Sequence, residues 1–88
     1  MLQMTPTAGQ FLCAVLERAR APAQAAIRLE IEGNELTSRL DQPRPGDATL
    51  AHEGRNVLVL DERVAELLDG ITIDVEPGAK GDSLVLVH

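Results

Sequence analysis

Apolar and polar positions along the chain change period several times, and each change marks an element. Ala8, Phe11, Leu12, Val15, Leu16 and Ala19 recur at helical spacing, while Glu17, Arg18 and Arg20 fall off that stripe. Thr7 and Gln10 stand in the capping-box relation and Pro6 suits a first turn, so the pattern predicts a helix that opens near Thr7 and stops before Pro22. The period then drops to two. Ile27, Leu29 and Ile31 alternate with Arg28, Glu30 and Glu32, which predicts a strand with Arg28 on its wet face. Gly33-Asn34 is a two-residue turn signal of the glycine-first kind. It sets Ile31 opposite Leu36 and Ile27 opposite Leu40 across a hairpin.

The stretch from Val57 to Val75 is the densest part of the pattern. Val57 to Leu60 is an apolar run of the kind found in strands covered on both faces. Asp61 caps the next helix, in which Val64, Leu67 and Leu68 form the apolar stripe and Gly70 the stop. Ile71, Ile73 and Val75 then alternate with Thr72, Asp74 and Glu76 as a strand. Residues 42–47, with two prolines and a glycine, read as an irregular connection, and Thr49 to His52 as a short edge strand. Glu53 to Asn56 forms a turn, Glu76 to Asp82 a flexible turn region, and Leu84 to Val87 a last strand. The sum is an α+β domain over residues 1–88, with two short helices and about six mostly antiparallel strands.

Composition narrows what such a domain does. Fourteen acidic against eight basic residues give a net charge of -6, which repels phosphate backbones, so no nucleic-acid partner is expected. Phe11 is the only aromatic residue, which removes stacking platforms for bases. Met1 to Gln10 has neither a positive start nor a long apolar run, so no secretory signal is expected, and with no membrane-length apolar run in these residues the expected compartment is the cytoplasm, with no membrane partner. The apolar last strand makes a homodimer an expectation as well.

Few residues offer chemistry. Cys13 is the single cysteine and lies more than a turn inside the first helix, which favours packing over reactivity. His52 and His88 have no metal-ligand spacing between them. Asp74, Glu76 and Asp82, with His52 and His88, form the one set that could hold a divalent metal or small ligand through oxygen and nitrogen, although alternating acids are also what a solvated strand face presents. Gly78, Lys80 and Gly81 do not make a phosphate loop, and no nucleophile stands with a base. No catalytic residue, no cofactor and no enzyme activity is expected.

Glu62 to Val87 resembles the C-terminal half of the HesB-like, A-type iron-sulfur carrier family, through Leu68-Asp69-Gly70, Thr72-Ile73-Asp74 and the Gly78 to Gly81 turn. The order of earlier parts agrees: a Thr-opened helix, Ile27-Arg28-Leu29, and Pro45-Gly46-Asp47 ahead of Gly54. The resemblance implies a HesB-like fold and a cluster held by three cysteines, one in a loop after the first long strand and two in a tail beyond the last. Asn34 and Glu35 stand where the first would be sought, the tail pattern does not occur before His88, and Cys13 matches none of the three positions. The resemblance and the missing thiols together imply a HesB-like domain without cluster ligands, whose expected partner is a protein of the iron-sulfur assembly machinery and whose expected role is interaction or regulation.

Overall fold

A computed structural model describes residues 2–87. In chain order the elements are β1 (Gln3–Met4), α1 (Pro6–Arg18), β2 (Ala26–Glu32), β3 (Glu35–Asp41), β4 (Ala48–His52), β5 (Arg55–Leu60), α2 (Glu62–Leu67), β6 (Thr72–Gly78) and β7 (Gly81–Val87). The class is α+β, with one strand more than expected: β1 pairs in parallel with β6 through Gln3 and Met4, too short to leave a period in the sequence. The strands form two sheets, ordered β1-β6-β7 and β3-β2-β5-β4.

The four-stranded sheet consists of two hairpins set side by side. The β2–β3 hairpin has the expected register, with Ile31 opposite Leu36 and Ile27 opposite Leu40. Gly33 takes φ +61, a left-handed position at the head of the turn that glycine occupies without a Cβ clash. The second hairpin, β4–β5, carries a bulge between Leu50 and Ala51. The hairpins join through the parallel pair β2–β5, where Ile27 meets Leu58 and Arg28 meets Val59.

That joint explains the connection 42–47. β3 and β4 lie at opposite edges, three strand spacings or about 14 Å apart. β3 leaves opposite Ala26, whereas β4 begins opposite Leu60, so the connection crosses the sheet diagonally over roughly 17 Å of an available reach of about 24 Å. Pro43 suits the extended first half of this strap, and Pro45-Gly46 form a turn in which the Asp47 amide donates to the Arg44 carbonyl at 3.0 Å, with Gly46 at φ +88. Arg28, expected on the wet face, lies beneath it and is 3% exposed. The correction is physical: alternation gives the face of a strand, and a distant segment decides whether that face stays wet.

One core joins both sheets and both helices, with Leu12, Leu16, Leu58, Leu60 and Ile73 at its centre. Burying side chains of this size contributes about 1.5–3 kcal/mol each. Val57 to Leu60 is fully inaccessible, as its apolar run predicts. At the start of α1 the cap is Thr5 rather than Thr7: Thr5 Oγ1 accepts from the Ala8 amide at 3.1 Å, and Pro6 occupies the first helical position. Asp61 caps α2 through the Val64 amide at 2.8 Å. Val64 and Leu68 are buried, but Leu67, on the other flank of the stripe from Leu68, is 57% exposed. β6 and β7 run on to a tight turn at Ala79 and Lys80, replacing the broad flexible region expected there. Pro77 is accommodated because β1 pairs only with Thr72 and Ile73, leaving the neighbouring edge of β6 open at Pro77.

Candidate functional site

The sequence-selected polar residues separate in space. His52 ends β4 and packs its imidazole against Gly9 of α1, where its Nε2 is buried without a hydrogen-bond partner. Asp74 and Glu76 project from one face of β6, while Asp82 pairs with Pro77 and so belongs to the other face. Asp74 is already engaged: the Thr5 hydroxyl donates to it at 2.8 Å and the Val75 amide donates to it at 2.8 Å. Those two bonds, the Thr5 one foremost, hold its carboxyl below the usual range. His88 lies outside the described residues. Among the described residues no group of three or more histidines, cysteines and carboxylates is placed to hold a metal ion. Cys13 is half-buried against the core.

The most built polar cluster is one that the sequence did not single out. Arg28 Nε donates to Asp41 Oδ2 at 2.6 Å, and its Nη2 donates to Asp47 Oδ2 at 2.6 Å and to the Gln42 carbonyl at 3.1 Å. The Arg44 amide donates to Asp47 at 2.7 Å, so both ends of the strap are tied to one guanidinium. The bond to Asp47, then that to Asp41, raises the Arg28 pKa and keeps it charged at any ordinary pH. Arg28 lowers the Asp47 carboxyl, and the Gln42 amide followed by Arg28 lowers that of Asp41. With four of its five N–H donors committed to Asp41, Asp47 and the Gln42 carbonyl, Arg28 anchors the strap rather than receiving a ligand. The available signal was charge balance: Arg28 in an otherwise apolar strand, with Asp41 and Asp47 bracketing a proline-rich connection.

Among the surface grooves of the described residues, two have mainly apolar walls. One, of about 330 Å³, lies between α1, the β2–β3 hairpin and Leu84 of β7, with Phe11, Leu29 and Leu36 in its walls. The larger, of about 890 Å³, lies between α2 and β4 and has an apolar floor containing Leu2, Leu50 and Leu60. No described helix is long and apolar enough to cross a membrane.

No protein-family model matches the chain, and no curated protein matches it. Solved structures do. Escherichia coli SufA, involved in the biosynthesis of iron-sulfur clusters, superposes with a TM-score of 0.73 at 20% identity, over 97% of this chain and 82% of that one. IscA, solved with its [2Fe-2S] cluster, superposes with a TM-score of 0.70 at 22% identity, over 98% of this chain and 83% of that one. The chain has the SufA and IscA fold. The HesB-like architecture expected from Glu62 to Val87 is therefore the one observed, and at these identities the likeness is one of fold.

The residues present do not fit an iron-sulfur cluster. Such clusters take soft thiolates. The β2–β3 connection is Gly33-Asn34 alone, closed by the Glu32 and Glu35 pair, and offers no thiol. The one cysteine of the sequence is in α1.

Proposed function

We propose that this chain is a non-catalytic HesB-like domain that acts by contact, as a protein-interaction or regulatory module linked to iron-sulfur cluster assembly. The observation that carries the reading is the pairing of a carrier-type fold with a β2–β3 turn that holds no thiolate. A carrier needs ligands that grip and release its cargo, whereas a surface that recognises the assembly machinery needs only the scaffold. The absence of a positioned nucleophile, or of an acid and base pair, among the described residues supports a role without chemistry of its own.

Anaerobic incubation with ferrous iron and sulfide tests the first half of this reading. The expected result is colourless protein with sub-stoichiometric iron. A visible charge-transfer band with stoichiometric iron would overturn it. Co-migration with purified iron-sulfur assembly proteins of the same cell on size exclusion tests the second half, and failure with all of them removes the proposed pathway.

A further inference from the structure

The larger groove has three properties that belong together. Its floor is apolar, built by Leu2, Leu50, Leu60 and Ala65. Its α2 wall presents Glu62 and Glu66, one turn apart, and no lysine, arginine or histidine lines it. Neither glutamate makes an ion pair with any described residue. Its opposite wall is β4, an edge strand whose outer side has no partner in the sheet.

The way β4 meets the groove is informative. Ala48, Thr49 and Leu50 all line it. Ala48 and Leu50 share the sheet face of Leu60, whereas the Thr49 side chain points away, so the groove extends from that face to the open edge of β4, where backbone amides and carbonyls are free. The bulge after Leu50 ends the regular stretch, which limits strand addition to a few residues. The adjoining Gly46-Asp47 wall is held by the Arg28 ion pair, so this edge is fixed before anything binds.

We propose that this groove binds a short, extended, basic segment of a partner protein, which adds a strand to Ala48–Leu50, places an apolar side chain over Leu50 and Leu60, and sets arginine or lysine against Glu62 and Glu66. Main-chain pairing supplies affinity and the alternate side chains supply selectivity. Charge complementarity excludes acidic segments, since like charges brought together at an interface oppose association. The inference deepens the contact-only reading and rests on it.

The test uses the full chain and two fluorescein-labelled short peptides, one alternating valine with arginine and one alternating valine with glutamate. By fluorescence anisotropy at low salt, the arginine peptide binds and the glutamate peptide does not. Glu62→Gln combined with Glu66→Gln weakens the arginine peptide about tenfold, as expected for two interfacial charges. Glu62→Arg combined with Glu66→Arg moves binding to the glutamate peptide, with an unchanged circular dichroism spectrum reporting an intact fold. Amide shifts on adding the arginine peptide concentrate at Ala48–Leu50. Equal binding of both peptides, affinity untouched by the charge variants, no binding, or shifts confined to the Phe11 and Leu84 groove would each overturn the proposal. So would a concentration-dependent dimer that covers the Ala48–Leu50 amides, because the occupant would then be a second copy. Failure here leaves the ligand-free reading standing, since that reading falls to cluster formation instead.

Discussion

Replacing Arg28 with methionine removes the charge while keeping most of the apolar stem in place beneath the strap. Three contacts vanish: to Asp41, to Asp47 and to the Gln42 carbonyl. Asp47 then keeps only the Arg44 amide, while Asp41 retains the guanidinium groups of Arg44 and Arg39. Removing one partner of a buried pair destabilises by about 3–5 kcal/mol, and the partial exposure of Asp41 places this case near the lower end, at about 3 kcal/mol. For a domain of this size that loss lowers Tm by roughly 12 °C or more. The chain has no tryptophan or tyrosine, so unfolding in urea is followed by circular dichroism. The pH dependence identifies the cause. Arg28 holds the Asp47 carboxyl below its ordinary range, and the Gln42 amide together with Arg28 does the same for Asp41, so the stabilisation is fully present above the unfolded carboxylate pKa of about 4 and is lost as pH falls through the lower folded values. In Arg28→Met Asp41 keeps Arg44 at 3.0 Å and Arg39 at 3.7 Å, but Asp47 has lost its guanidinium partner, and protonation relieves it. The difference between wild type and variant is therefore largest at neutral pH and narrows below about pH 4. A loss under about 1 kcal/mol at pH 7, or a difference that does not change with pH, would show that the strap is held by packing and not by this ion pair.

Backbone geometry supports two further predictions. Glu53 and Gly54 both take positive φ, +51 and +81, the conformation of a type I′ hairpin turn, and a side chain such as Glu carries strain of about 1 kcal/mol there. Glu53→Asn therefore raises stability by about 0.5–1 kcal/mol in the same urea assay, and an unchanged or lower midpoint would count against that turn. Gly9→Ala drives a methyl group into the His52 ring and destabilises by about 1–3 kcal/mol, whereas in the His52→Ala background the same change is close to neutral. Equal losses in the two backgrounds would place the clash elsewhere.

Much of the fold was legible in the chain because its strongest signals are local. The Gly33-Asn34 turn fixed the register of β2 and β3, and Asp61 and Gly70 bounded the second helix, with Gly70 at φ +82. Thr5 could have been preferred to Thr7 as the cap, since Pro6 directly after it suits the first helical position. What escaped the pattern was non-local. β1 pairs through two residues, the parallel joint of β2 and β5 lies between separate hairpins, and the burial of Arg28 depends on a strap that returns from the opposite edge. The candidate groove was hidden for the same reason: α2, β4 and Leu2 are distant in sequence, and none of their residues forms a motif alone. The proposed acid set failed to gather because alternation along β6 and β7 sends Asp74 and Asp82 to different faces.

The diagonal strap also bears on the order in which the molecule assembles. Each hairpin closes over a short loop and can find its own register early, but neither can bury Ile27 or Leu58 until the two meet. The strap is the tether that holds one hairpin near the other, so its length and stiffness set their effective concentration. A chain that must match two prefabricated halves has its slowest productive encounter at that seam, and the seam, not the turns, is where an incomplete fold would leave apolar strand surface open to other molecules.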